Sequence, residues 1–283
     1  MLAFLDRDRG HAGALPDTVE RAVGQSVGLD LDDGAVGHDV VRDAQAVRKN
    51  IGYVFGGDRG AYERLSGLDN LRYFAELYGV PPREQKRRIG ELLELVGLSG
   101  REHERAEGYS RGMKQRLHVA RGLLHDPKVL FLDEPTIGLD PVGAREVRAT
   151  IASLTRAGKT VLLTTHSMFE ADALCDRIAV ISQGSIVAEG TPADLKRGVA
   201  EGSVVEVEVY GVPDGTVERV RGLGGVRAVS VEEREQAQVL VVQTETEAEL
   251  THAILGCLNG AHVGRISRRE PTLEDAYVAL VTE

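Results

Sequence analysis

The stretch Tyr109–Asp140 reads YSRGMKQRLHVARGLLHDPKVLFLDEPTIGLD. At its centre, Val129–Leu132 is a continuous apolar run that ends in the acidic pair Asp133–Glu134 and is followed by Pro135. That pattern predicts a buried strand carrying carboxylates to the edge of a sheet where open α/β folds bind ligands. Upstream, Tyr109–Met113 is a short Ser/Gly turn opening a helix, and the free N–H groups of a first helical turn suit an anion. Downstream, Gly138–Leu139–Asp140–Pro141 predicts a turn with Asp140 as helix cap and Pro141 at the first helical position. A lone acidic pair could cap a surface helix, and a lone Ser–Gly turn carries less still. The two in this order, joined by one helix, point to an anion-handling parallel sheet.

Composition narrows the field. The 283 residues allow one large domain or two of ordinary size, and 42% apolar content supports a core. A formal charge of −10 argues against nucleic acid as a partner, because phosphate backbones demand basic patches. Cys175 and Cys257 lie far apart without metal-ligand spacing and read as small buried apolar residues in a reducing compartment. No apolar run approaches the roughly 20 residues that span a bilayer, and MLAFLDRDRG at the start is not a secretory signal. A membrane role would therefore run through a separate spanning chain.

Residues 1–18, rich in charge, Gly and Pro, read as a loop or disordered arm. Val19–Leu31 suits short edge strands and Asp39–Lys49 a short helix. Ile51–Phe55 is a strand, followed by the amphipathic helices Leu68–Leu77 and Glu84–Val96 as a helical insert. Lys114–His125 is a helix. The strand Val129–Leu132, the helix Val142–Ala157, the strand Val161–Thr165, the helix Met168–Cys175 and the strand Arg177–Ser182 then alternate, the mark of a parallel sheet covered on both faces. A Gly184–Ser185 turn leads to Ile186–Glu189. Composition changes near residue 200. Beyond it the order is β-α-β-β-α-β (Val204–Tyr210 to Val263–Arg268), a ferredoxin-like split arrangement, closed by a helix at Leu273–Leu280.

The Tyr109–Asp140 stretch resembles the core of ABC-type ATPases. Tyr53–Gly79, YVFGGDRGAYERLSGLDNLRYFAELYG, is similar to the ATP-binding subunits of drug and antibiotic exporters of the daunorubicin-resistance type. The resemblance covers about residues 19–283, including PTLEDAY at Pro271–Tyr277. It implies a P-loop-type α/β nucleotide-binding domain over residues 19–199, with a parallel sheet and helical insert, and a small α+β accessory domain over 200–283. It implies ATP and Mg2+ as cofactors. Asp133 would hold the metal through water, Glu134 would polarise an attacking water, and His166, after the next apolar strand, would hydrogen-bond a γ-phosphate. Ser110–Arg111–Gly112 matches the family's LSGGQ turn in part: Ser110 and Gly112 are kept, while Tyr109, Arg111 and Met113 replace Leu, Gly and Gln. In the family this turn and the one at Asp140 serve nucleotide held by the opposite subunit. The implied partners are a second nucleotide-binding subunit, as homo- or heterodimer, and membrane-spanning permease subunits, with the chain peripheral at the inner face of the cell membrane. Soluble family members of DNA repair or translation fit less well, since those carry coiled coils or tandem cassettes.

Two expected motifs depart from the pattern. Where the family has a Gln after the strand matching Ile51–Phe55, Gly56–Gly57–Asp58 stands, with Asp58 and Glu63 as alternative substitutes. The phosphate loop GxxxxGK[ST] occurs nowhere. Gly158–Lys159–Thr160 is a decoy, because it precedes a strand, whereas a phosphate loop follows one. Gly10–Thr18, GHAGALPDT, could be a ruined loop. Alternatively, Arg21–Gly34 matches the region before the loop and Gly37–Val41 the region after it, so the central strand, loop and helix are deleted near residues 34–36. The second alternative accounts for more of the sequence. Either way the β- and γ-phosphate cradle is gone, which implies weak or absent ATP binding in cis. A lost strand and helix also bare apolar surface. At ~25 cal/mol per Å², a few hundred Å² amounts to several kcal/mol of stability.

Overall fold

The computed structural model describes residues 2–5, 42–56, 60–199, 203–213, 215–234, 237–244, 250–258 and 260–282. The chain divides into two compact units, Met1–Glu189 and Gly190–Glu283.

In the first unit the order is β1 (Leu2–Leu5), α1 (Ala44–Asn50), β2 (Ile51–Phe55), α2 (Gly67–Leu77), α3 (Pro82–Leu95), α4 (Arg111–Gly122), β3 (Val129–Asp133), α5 (Pro141–Arg156), β4 (Thr160–Thr164), α6 (Met168–Leu174), β5 (Arg177–Ser182) and β6 (Ser185–Gly190). The six strands form one sheet in the order β2-β3-β4-β1-β5-β6. β2, β3 and β4 are parallel, in a register that aligns Val54, Leu132 and Leu163. These three are almost wholly buried. Each such side chain contributes about 1.5–3 kcal/mol by leaving water. The end of α4 packs on that face, with Gly122 so close that a Cβ would lie 2.8 Å from Val54 Cγ2. On the opposite face Tyr53 stacks on Phe131 at 6.1 Å between ring centroids.

Leu2–Leu5 corrects one expectation. The reading of residues 1–18 as a loop arm overlooked that these four residues form a strand, antiparallel to both β4 and β5. The reason lies in tertiary pairing: four apolar residues before a charged run carry no strand signal of their own. The helix expected from Asp39 starts at Ala44. The readings of Val19–Leu31, the Gly10–Thr18 segment and the deletion near 34–36 fall outside the described residues. Asn70 is buried and holds the preceding loop, accepting from Tyr62 N at 2.8 Å and donating to Ser66 O at 2.9 Å.

The second unit contains α7 (Pro192–Val199), β7 (Val204–Tyr210), α8 (Thr216–Arg221), β8 (Val226–Arg234), β9 (Ala237–Thr244), α9 (Thr251–Cys257), β10 (His262–Arg269) and α10 (Leu273–Thr282). Its sheet order, β10-β7-β9-β8, is antiparallel throughout and matches the split β-α-β-β-α-β arrangement. Val205, Val207, Leu240 and Val242 pack with Val220 of α8 and Ile254 of α9 in one core cluster. Alternate residues Val204, Val239 and Val241 are buried on the other face, as period-2 geometry requires. The unit begins at Gly190, before the boundary expected near residue 200, because α7 packs against α10.

Candidate nucleotide site

The carboxyl edge of β2-β3-β4 carries one row of residues in register: Phe55, Asp133 and Thr164. The Thr164 hydroxyl donates to Asp133 Oδ1 at 2.5 Å. The same hydroxyl accepts from Glu134 N at 3.2 Å, and the Thr164 carbonyl accepts from that N–H at 3.0 Å. Thr164 thus fixes both acidic residues, a role hidden in the sequence because a Thr ending an apolar strand looks like strand continuation. Glu134 sits at φ +47°, in the left-handed region that a non-glycine residue enters only under constraint. Its turn directs Oε2 to 2.7 Å from His166 Nδ1. Asp133, Glu134 and His166 are therefore gathered at one sheet edge, with His166 exposed.

Ser110, Gly112 and Asp140 lie at helix starts. Ser110 caps α4, its Oγ accepting from Met113 N at 3.2 Å. Asp140 caps α5, its Oδ2 accepting from Val142 N at 3.1 Å and Gly143 N at 3.3 Å. Gly112 is buried, and a Cβ there would lie 3.1 Å from the Gly143 Cα, so the first turns of α4 and α5 touch backbone to backbone. Arg111 Nη1 donates to Gly138 O at 3.3 Å and ties the two turns together.

Of the two residues considered as replacements for the missing Gln, Glu63 is engaged by Lys114 Nζ at 2.6 Å. Asp58 lies outside the described residues. The decoy Gly158–Lys159–Thr160 stands at the start of β4, the end opposite the acidic row. There Lys159 Nζ donates to Asp126 Oδ1 at 2.7 Å and Pro127 O at 2.8 Å.

The donor set can be tested against the cofactors that such a site implies. Among the described residues, no cluster of three His, Cys, Asp or Glu could hold a metal. A single carboxylate suits Mg2+, which keeps most of its water and takes one or two protein oxygens. A triphosphate needs more: consecutive N–H groups and a Lys at the end of a central strand. Among the described residues, the central position between β4 and β5 is held by β1, which runs the opposite way and opens no helix at this edge. The described residues fit a hydrated Mg2+ and do not make up a triphosphate cradle.

Comparisons with known proteins agree with the fold. Residues 25–137 match the family model described as ABC transporter. The chain is 30% identical over 269 residues to the linearmycin resistance ATP-binding protein LnrL of Bacillus subtilis, covering 91% of this chain and 86% of that one. It is 37% identical over 246 residues to the daunorubicin resistance ATP-binding protein DrrA3 of Streptomyces coeruleorubidus, covering 86% and 76%. A solved ATP-binding subunit of an ABC transporter aligns with a TM-score of 0.50 at 28% identity, covering 58% of this chain and 68% of that one. The chain belongs to the ATP-binding subunits of ABC transporters. ATP, typically with Mg2+, is the cofactor that membership implies. No helix among the described residues is long and apolar enough to cross a membrane.

Proposed function

We propose that the chain serves an ABC exporter of drugs or other small molecules, and that its own nucleotide site is impaired by loss of the phosphate loop. The resistance functions in the names of LnrL and DrrA3 support the export role. The observation that carries the impairment is the missing GxxxxGK[ST] motif, together with an antiparallel strand in the sheet's central position. On this reading Asp133, Glu134 and His166 are the remainder of the chain's own site. Ser110, Gly112 and Asp140 are the half offered to ATP bound by a second nucleotide-binding subunit. The permease partners would dock on the helical insert, whose exposed Tyr62, Tyr73 and Leu77 support a protein contact, at the inner face of the cell membrane.

A second reading is a non-catalytic regulatory half of a heterodimer, or a decayed and inactive protein. The intact Ser110 cap favours the regulatory half over decay. Mixing the chain with a homologue that has a complete phosphate loop tests both. ATPase activity that rises on mixing and falls with Ser110→Ala supports the regulatory role. No response to mixing at any ratio supports decay.

A further inference from the structure

β4 and β5 are joined through α6 yet are not neighbours. Both are antiparallel to β1, so they are parallel to each other, with one strand between them. Two adjacent spacings of about 4.8 Å separate them. Without a strand between them, each would turn a row of unpaired N–H and C=O groups into the middle of the sheet. The ladder pairs Leu2 with Thr164 and Ala179, Ala3 with Leu163 and Ile178, and Phe4 with Leu162 and Arg177. β2, β3 and β4 run parallel, and a parallel strand in this slot would require a crossover connection. β1 runs the opposite way, so Leu5 lies beside Val161, at the end of the sheet where Ile51 also begins.

We propose that Leu2–Leu5 is a substitute central strand. It closes the slot between β4 and β5 and holds the two halves of the sheet together, in a sense that bars a parallel strand from the same place. Its amino end emerges at the acidic edge, beside the Thr164 that fixes Asp133 and Glu134. The strand is therefore a built-in stopper of the position from which nucleotide phosphates would be held.

Cross-linking in the full chain tests this, with Cys175→Ala and Cys257→Ala removing the native thiols. Phe4→Cys with Arg177→Cys is the in-register pair, and Phe4→Cys with Ala179→Cys the control displaced by two residues. The expected result is an intramolecular disulfide in the first variant and at least a several-fold lower yield in the second. No disulfide in the first, equal yields in both, or a disulfide only between two copies would overturn the proposal. Ala3→Pro gives a second readout by hydrogen exchange. Loss of amide protection in β4 and β5, with β7 and β9 unchanged as an internal control, is expected. Unchanged protection of β4 and β5 would contradict it.

Discussion

Gly56 lies directly against the backbone of Glu134: a Cβ at position 56 would sit 2.3 Å from the Glu134 carbonyl oxygen and 2.8 Å from that of Asp133. The neighbouring atoms are backbone and cannot swing away. The end of β2 is thus pressed onto the turn that carries the acidic pair, and the position tolerates no side chain in this arrangement. Gly56→Ala should cost about 1–3 kcal/mol through overpacking, and Gly56→Gln at least as much. Urea unfolding followed by circular dichroism measures it, and an unchanged midpoint would remove the claim that the glycine is required here.

Asp140 caps α5 through two N–H groups. Its removal by Asp140→Ala should cost about 0.5–2 kcal/mol, whereas Asp140→Asn keeps an equivalent cap and should cost little. If ATPase activity of a mixed dimer falls with Asp140→Asn while stability is kept, the residue has a role across the dimer interface beyond capping. Equal thermal midpoints for both variants would show that the cap itself carries no weight.

In the second unit, Arg269 donates to Asp275 at 2.5 and 3.1 Å and to Glu206 at 2.7 Å, while Thr272 N donates to Asp275 Oδ2 at 2.7 Å. Burial opposes ionisation of Asp275, but the bonds from Arg269 and Thr272 outweigh it and hold its carboxyl below the usual range. A depressed folded value means the stabilisation is complete above the unfolded value of about 4 and is lost as pH falls through the folded value. Asp275→Asn takes from Arg269 its nearly buried partner, leaving it Glu206, and should cost about 1.5–3 kcal/mol at neutral pH. It should also flatten the acid dependence of this unit. Thermal melts from pH 7 to below pH 4 check both, and parallel pH curves for the two proteins would contradict the assignment.

Periodicity and run length revealed the elements whose signals are local. Val129–Leu132 and Val161–Thr165 are apolar runs, and Val204–Tyr210 alternates, so each was legible as a strand and their order as an architecture. The Asp133–Glu134–His166 grouping was legible because all three stand at or just past strand ends. What escaped depends on distant pairing. Leu2–Leu5 is a strand only because β4 and β5 flank it. Thr164 is an anchor only because β3 lies alongside in register. Glu63 is engaged because α4 brings Lys114 to it across 51 positions of sequence. Helix α7 was missed because its packing partner, α10, lies at the far end of the second unit.

The proposed impairment of the chain's own nucleotide site is tested most directly by titration calorimetry of the full chain alone with MgATP. On that proposal, with no N–H cradle and no Lys on the β- and γ-phosphates, no saturable heat is expected at affinities tighter than roughly millimolar, about −4 kcal/mol. A Kd in the micromolar range, about −8 kcal/mol, accompanied by steady ATP turnover, would contradict it.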